Sequence, residues 1–385
     1  MRLALFLLLA AAAYGQKSEP PKTTFEEQPA YLLSNGALEL TVLSKGSTFA
    51  SVVLADDPEK LSPLWNPMRM AREVGEKNIF DSALGHFICV DGFGPVSPEE
   101  EAAGLPGHGE AHEAAFEVKF YGKEARNTTL TLETRLPITQ ERFARTVRMV
   151  EGEDVIYVQS ELESLLGFDR PVFWAEHATI GSPFLEPGVT VVDMSARRAQ
   201  TRPYTVSEKE VGLPHRLPSG KDFTWPEAPG MHARKIDVRA APAEPNSGDH
   251  TTCLMDASRK LVFVTALHPG KRLMLGYLFK PQEYPWTQNW EYYPKTKKLA
   301  RGMEFSTQPY DVPRREVVQL NSMFGAPVYR WLPAKTKIES RFLMFYAHTP
   351  EGFTRVDDVR FENGKITIED HKTHKQVTLT ASLPL

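Results

Sequence analysis

The sequence contains little of what several classes of protein require. Only two cysteines, Cys89 and Cys253, occur among 385 residues, too few for a disulfide scaffold. They either form one disulfide or stay separate as small buried apolar residues, because pairing depends on geometry that a sequence does not display. Lys and Arg number 45 against 49 Asp and Glu, giving a formal net charge of −4. Without a basic stripe, nucleic acid is not an expected partner.

Long apolar runs are also absent, apart from one at the start of the chain. Arg2 is followed by an uncharged stretch at residues 3–13, and small residues come next. This pattern is typical of a secretory signal peptide, and the stretch is shorter than the roughly 20 residues that span a bilayer. We expect a signal peptide over residues 1–15, a secreted or periplasmic protein and no membrane span. The alternative is an uncleaved N-terminal anchor.

The predicted domain organisation is simple. Residues 16–28 are polar and include Pro20 and Pro21, which is typical of a flexible leader. Residues 29–385 are then ample for one large domain with a buried core. No repeat with a fixed period of 20–50 residues is visible, so a propeller or solenoid is not expected.

Short alternating segments, rather than long helical patterns, dominate the chain. Asn35-Gly36 and Asn363-Gly364 each lie between two apolar runs, a pattern that predicts hairpins because both residue types accept positive φ. The 30 Pro and 25 Gly residues separate these short segments. The predicted fold is therefore all-β, a large antiparallel sandwich. Further predicted strands lie at 116–120, 129–133, 155–158, 189–192 and 261–264.

Two other segments have distinct expectations. Ser97 is a predicted N-cap for a short helix over 98–103, with Glu residues near its positive end. Residues 203–246 are rich in Pro and irregular, as in a long loop over one face or a simple insertion. Trp225 lies in this segment and is a candidate cover for a cleft.

Histidine and glutamate next to glycine or aromatic residues single out four segments. They are residues 85–95, 106–112, 173–181 and 302–309. Glycine beside a histidine permits close approach of backbone or ligand. Several such segments in one chain favour a shared cleft, although each alone is as typical of a turn or core residue.

A metal centre and a nucleophilic enzyme are the first alternatives. His108 and His112 have the i, i+4 spacing of two ligands on one helix face, but Gly107 and Gly109 disfavour a helix there. The His-Glu-x-x-His and Gly-x-Ser-x-Gly patterns are both missing. We therefore expect neither a metal site nor a cofactor.

A general acid and base pair is the third alternative. Moving a proton on a sugar needs one group that accepts and one that donates. His177 and Glu304 suit these roles, and antiparallel sandwiches bring distant strands onto one face.

The order of these elements resembles the aldose 1-epimerases and their hexose-phosphate relatives, of the galactose mutarotase-like superfamily. The elements are His108-Gly109, Glu176-His177, Asp249-His250 and Gly302-Met303-Glu304 with Thr307-Gln308-Pro309. The resemblance runs from about residue 30 to the C-terminus. It implies a β-supersandwich with a shallow sugar cleft on one face.

The resemblance also implies residue roles. Glu304 would take the proton of the anomeric hydroxyl, His177 would protonate the ring oxygen, and His108 would hold a sugar hydroxyl or the ring oxygen. Asp249 would bind another hydroxyl. His112 stands where the phosphate-sugar relatives carry Arg, so it joins the predicted substrate-binding residues and a phosphorylated substrate is not expected.

The aromatic segment 284–293 lies just before Glu304. Sugars present CH faces that stack on rings, so Trp286 and Trp290 are predicted substrate-binding residues. A core-closing loop is the alternative for this segment. For the protein as a whole, a carbohydrate is the expected ligand. It is either an aldose 1-epimerase-like enzyme or a non-catalytic carbohydrate-binding protein of the same fold.

Overall fold

The computed structural model describes residues 19–80, 83–203 and 211–385. The predicted signal peptide lies outside these ranges. In chain order, the strands are β1 (Lys22–Phe25), β2 (Gln28–Ser34), β3 (Leu38–Leu43), β4 (Phe49–Leu54), β5 (His86–Val90), β6 (Glu117–Glu124), β7 (Asn127–Leu136), β8 (Glu141–Val150), β9 (Val155–Ser164), β10 (Arg170–Val172), β11 (Trp174–Gly181), β12 (Val191–Met194), β13 (Ala196–Thr201), β14 (Asp222–Thr224), β15 (Glu227–Pro229), β16 (Lys235–Asp237), β17 (Ser247–Met255), β18 (Val262–His268), β19 (Leu273–Phe279), β20 (Trp286–Tyr293), β21 (Ala300–Gly302), β22 (Glu304–Ser306), β23 (Ser322–Met323), β24 (Ala326–Pro327), β25 (Arg330–Leu332), β26 (Lys337–His348), β27 (Val356–Glu362), β28 (Lys365–Asp370) and β29 (Gln376–Thr380). The helices are α1 (Pro67–Val74), α2 (Pro98–Ala102) and α3 (Arg314–Leu320), with a 3₁₀ turn at Met231–Ala233.

Two large antiparallel sheets form the layers of the fold. The larger sheet has the order β1-β2-β3-β4-β5-β11-β21-β20-β17-β13-β14-β15-β16, with β22 paired to β11 and β20. The second sheet has the order β12-β18-β19-β26-β9-β8-β7-β6. The predicted all-β antiparallel sandwich is confirmed.

The main core lies between these two sheets. Phe305 of the larger sheet stacks on Phe279 of the second sheet, with ring centroids 4.5 Å apart. Both belong to one apolar cluster that draws buried side chains from the inner face of each sheet. A smaller sheet, β27-β28-β29, covers the outer face of the second sheet through Val359 and Ile368. The outer face of the larger sheet carries the cleft described below.

The predicted hairpin turns and the predicted helix cap are present in the structure. The Asn35-Gly36 and Asn363-Gly364 turns join β2 to β3 and β27 to β28. Ser97 caps α2 and, with Glu100, forms a reciprocal capping box, as its position before the acidic turn predicts.

Other expectations need correction. Part of the predicted flexible leader is ordered, because Lys22–Phe25 pairs with β2 as an edge strand. The irregular segment after residue 203 contributes β14, β15 and β16 to the larger sheet. Trp225 is buried in the main core and does not line the cleft described below. Cys89 and Cys253 are both buried and unpaired, on β5 and β17 respectively.

Candidate functional site

A cleft of about 400 Å³ opens on the outer face of the larger sheet. Its walls combine aromatic side chains with three histidines and two carboxylates. The lining residues are Trp65, Phe80, Ala83, Phe87, Phe93, Gly94, Pro95, Gly107, His108, His177, Val211, His250, Trp290, Glu304 and Asp311.

Strand β11 positions the centre of this cleft. Side chains alternate between the two faces of a strand, so Trp174 and Ala178 enter the main core while His177 faces the cleft. On β22, Phe305 enters the core and Glu304 faces the cleft in the same way. Because β22 pairs with β11, the alternation brings His177 and Glu304 together.

His177 and Glu304 are in direct contact. Nε2 of His177 lies 3.3 Å from Oε1 of Glu304, and the two side chains are 8% and 1% exposed. Nδ1 of His177 lies 2.9 Å from Oγ1 of Thr179. Burial, with the nearby His108, lowers the pKa of His177 well below its ordinary range, so the ring is neutral at neutral pH. We assign the tautomer in which the Thr179 hydroxyl donates to Nδ1, so the ring proton lies on Nε2, the atom that faces the Glu304 carboxylate.

His108 stands beside this pair, with its ring centroid 5.3 Å from that of His177. Its Nδ1 accepts the backbone N–H of Gly94 at 3.2 Å, and Sγ of Cys89 lies 3.5 Å from the same atom. Burial lowers the pKa of His108 to about 4, and the neighbouring His112 acts in the same direction. His108 is therefore neutral with its proton on Nε2, which makes Nε2–H a hydrogen-bond donor.

Aromatic rings form the walls. Phe87 stacks on His177, with centroids 4.1 Å apart and an interplanar angle of 19°. Trp65, Phe80 and Trp290 form a mutual edge-to-face cluster with centroids 4.9–5.6 Å apart. Of the two predicted tryptophans, Trp290 lines the cleft and Trp286 does not. The indole N–H of Trp286 donates to the Pro327 carbonyl at 2.8 Å, within a separate apolar cluster.

Asp249 does not line the cleft either. It and His250 are consecutive on β17, so they face opposite sides of the sheet, and His250 is the one that reaches the cleft. The buried carboxylate of Asp249 accepts Nε of Arg216 at 2.8 Å and the backbone N–H of Leu217 at 3.1 Å. These contacts anchor a loop to the sheet, and the predicted contact of Asp249 with substrate is not supported by its position.

His112 lies behind His108 and does not line the cleft. Its ring centroid is 5.9 Å from that of His108, and its Nδ1 donates to the Gly109 carbonyl at 2.9 Å. This contact fixes the turn that carries His108. The predicted substrate-binding residue is thus placed to support His108 rather than to reach a ligand.

Glu176 and Glu110 flank the histidines in sequence but point elsewhere. Glu176 enters the core, where both of its oxygens lie 2.6 Å from Nη2 of Arg145 and Oε2 lies 3.0 Å from Nε2 of His86. Burial acts to raise the pKa of Glu176, but the Arg145 charge and His86 outweigh it and lower the pKa. Glu110 accepts the backbone N–H groups of Ile138 and Thr139.

His250 and Asp311 also line the cleft, although neither is among the site residues predicted from the sequence. His250 was visible in the Asp-His element, and strand alternation next to Trp290 would have selected it over Asp249, because His250 and Trp290 are partners in register. Asp311 carries no local signal. Within the described ranges, no group of three His, Cys, Asp or Glu side chains is placed to hold a metal ion. In the same part of the chain, every helix is too short or too polar to cross a bilayer.

The fold has known counterparts, although the sequence matches no protein-family model and no curated protein. A candidate aldose 1-epimerase from Klebsiella pneumoniae has a TM-score of 0.59 at 12% identity, over 84% of this chain and 80% of its own. A galactose mutarotase-like protein from Clostridium acetobutylicum has a TM-score of 0.57 at 10% identity, over 86% and 98%. The Slr1438 protein of Synechocystis sp. PCC 6803 has a TM-score of 0.56 at 11% identity, over 86% and 97%.

These likenesses extend over most of each chain, and at such low identity they concern the fold. The chain has the galactose mutarotase-like fold, as its resemblance to the aldose 1-epimerases predicts.

Proposed function

We propose that this protein interconverts the anomers of an uncharged aldose by acid–base catalysis. The observation that carries the proposal is the 3.3 Å contact between Nε2 of His177 and Oε1 of Glu304 on the floor of one cleft with aromatic walls. Anomerisation moves a proton between two oxygens bonded to the same carbon. An acid and a base that are themselves neighbours suit that task.

The first half of the reaction opens the sugar ring. The carboxylate of Glu304 takes the proton of the anomeric hydroxyl while Nε2–H of His177 donates to the ring oxygen. The bond between the anomeric carbon and the ring oxygen breaks, which leaves an aldehyde and a new hydroxyl. Glu304 holds this proton until the ring closes, when it returns it to the anomeric oxygen while Nε2 takes the proton of the ring hydroxyl, so the pair ends as it began. General acid–base catalysis of this kind is worth about 10²–10⁴ in rate.

The second half reverses these steps on the other face of the aldehyde. Rotation about the bond between the first two carbons exposes that face, and ring closure yields the opposite anomer. His108, whose Nδ1 already accepts the Gly94 N–H, offers Nε2–H to a sugar hydroxyl. Phe87 and Trp290 supply apolar surfaces for the CH faces of the ring.

The charge of the cleft supports an uncharged substrate. No Lys or Arg is among the described residues that line it, whereas Glu304 and Asp311 are. A phosphorylated sugar would meet two carboxylates without the Arg or Lys that usually binds phosphate. Carbohydrate as the ligand, and export from the cytoplasm as residues 1–15 predict, belong to the same proposal.

The test is to follow freshly dissolved α-glucose and α-galactose by polarimetry or NMR with the mature chain. We expect acceleration over buffer and a loss of about 10²–10⁴ in kcat for Glu304→Gln. Glu362→Gln is the matched control, because Glu362 is exposed on β27. It should leave the rate unchanged.

The non-catalytic alternative makes the opposite prediction. A protein that only holds carbohydrate would bind these sugars and leave their anomerisation at the rate seen in buffer. That result across a panel of neutral aldoses would contradict the enzymatic proposal.

A further inference from the structure

A second pair of a histidine and a carboxylate lines the same cleft, apart from the acid–base pair. Nδ1 of His250 lies 3.3 Å from Oδ1 of Asp311, and the two side chains are 4% and 17% exposed. His250 comes from β17, and Asp311 follows β22 in a turn before α3. The chemistry proposed above uses neither residue.

Arg202 holds Asp311 in place. Its Nη1 donates to Oδ1 of Asp311, and its Nη2 donates to the Asp311 backbone carbonyl at 3.2 Å. Burial acts to raise the pKa of Asp311, but His250 and Arg202 outweigh it, so the pKa is lowered and the carboxylate stays ionised. Among the described residues, the side-chain contacts to this carboxylate come from Arg202 and His250, and both reach Oδ1. The lone pairs of Oδ2 can therefore accept from a ligand in the cleft.

Gly94 contacts both Asp311 and His108. A Cβ on Gly94 would lie 2.5 Å from the Asp311 carbonyl oxygen, and the φ of Gly94 is +75°. Only glycine allows this approach at such a φ. Because the N–H of Gly94 also donates to Nδ1 of His108, one residue fixes the spacing between two polar groups of the cleft.

We infer that Asp311 binds sugar hydroxyl groups remote from the anomeric carbon, and that Arg202 and His250 position it for this task. The inference rests on the proposed binding of an uncharged sugar in this cleft. A carboxylate accepts hydrogen bonds from hydroxyl groups with either oxygen. In the proposed reaction, His177 and Glu304 already contact the groups at the anomeric carbon. Asp311 therefore sets affinity and the choice of sugar, and contributes little to the rate of the chemical step.

The first experiment compares Asp311→Asn with the parent protein. A hydrogen bond to a charged group contributes more than one between neutral groups, so we expect KM to rise about 10-fold or more while kcat changes less than about 3-fold. The dissociation constant, measured by calorimetry in the Glu304→Gln background, should rise by the same factor. Asp358→Asn is the matched control, because Asp358 is also paired with an arginine, Arg259, but lies on β27 outside the cleft.

The second experiment changes the sugar as well as the protein and so guards against misfolding. Monodeoxy derivatives of the preferred sugar are titrated into the parent protein and into Asp311→Asn. The derivative that lacks the hydroxyl bound by Asp311 should bind the parent protein more weakly than the unmodified sugar does. Replacing Asp311 by Asn should not weaken the binding of this derivative further. His250→Gln should raise KM by a smaller factor than Asp311→Asn.

The outcomes separate this inference from the proposed epimerase activity. Sugar binding without turnover, weakened by Asp311→Asn, would contradict the epimerase and support the inference. Unchanged KM and dissociation constant in a folded Asp311→Asn protein would overturn the inference alone. Failure of the parent protein to bind any neutral sugar would overturn both.

Discussion

Gly302 leaves the space that the carboxylate of Glu304 occupies. A Cβ on Gly302 would lie 2.0 Å from Oε1 of Glu304 and 2.7 Å from its Cδ. Gly302 ends β21 and Glu304 begins β22, and both strands pair with β11 next to His177. The absence of a side chain at residue 302 is therefore a condition for the contact between Glu304 and His177.

Gly302→Ala should impair the reaction more than the fold. The added methyl group displaces a flexible carboxylate rather than backbone, so the main change is the position of the base. Displacement by about 1 Å can cost about 10²-fold in rate, and we expect kcat/KM to fall by that order with a small change in Tm. Gly167→Ala is the control, because a Cβ there has nothing within 4 Å. Equal kcat/KM for both variants would contradict the assigned role of Gly302.

Thr179→Val should lower kcat by changing the state of His177. The substitution keeps the shape of the side chain but removes the hydroxyl that lies 2.9 Å from Nδ1. Loss of one hydrogen bond costs about 1 kcal/mol, so we expect a 5- to 10-fold fall in kcat with little change in KM. The pH profile of kcat should also shift, since the proton is no longer held on Nε2. A profile identical to that of the parent would contradict the assigned tautomer. Thr131→Val, which removes a hydroxyl bonded to Thr146 on the second sheet, is the control.

The buried pair of Arg145 and Glu176 should matter for stability. Both side chains are 0% exposed, so removing one partner leaves an uncompensated buried charge. We expect Arg145→Met to lower the free energy of unfolding by about 3–5 kcal/mol, measured by urea denaturation. Lys337→Met removes one partner of the exposed pair with Glu161 and should cost at most about 1 kcal/mol. Similar losses in both variants would contradict the importance of burial.

Acid should destabilise the protein over a pH range that depends on the pKa values of its buried histidines. His108 has a pKa of about 4 in the fold, against an ordinary value of 6.5. Between these pH values the unfolded chain binds a proton that the folded chain does not, so the free energy of unfolding falls as the pH drops. The slope is about 1.4 kcal/mol per pH unit for each such histidine. Burial also lowers the pKa of His86 and His177, which adds to the effect.

His108→Asn isolates one part of this slope. Denaturation curves at pH 7.5, 6 and 5 should show a slope smaller than that of the parent by about one proton. Above pH 7.5 the difference between the two proteins should be constant, because His108 is neutral in both of its states there. If the free energy of unfolding fell equally in the parent and in His108→Asn from pH 6 to pH 5, the lowered pKa of His108 would be contradicted.

Features specified by neighbouring residues could be predicted from the sequence. The Asn-Gly hairpins and the cap at Ser97 depend on a few adjacent residues, and both are present in the structure. His177 and Glu304 were identified by residue type and order, and the alternation of β11 and β22 brings them onto one face. Their proposed catalytic roles stay predictions.

Features that depend on distant contacts could not be predicted. Asp249 and His250 differ by one position on β17, and a shift of one residue exchanges the two faces of a strand. A short motif does not determine which of the two reaches the cleft. Asp311 depends on Arg202, 109 residues earlier in the chain. The edge strand β1 requires β2 as a partner, which the polar composition of residues 16–28 does not reveal.

The alternation along β11 has a consequence for protein engineering. Its core-facing side chains, such as Trp174 and Glu176, belong to the packing between the sheets, whereas His177 faces the cleft. A mutational library confined to cleft-facing positions would therefore leave the packing between the two sheets intact, and Trp290, which is half-buried, is the wall residue best suited to it.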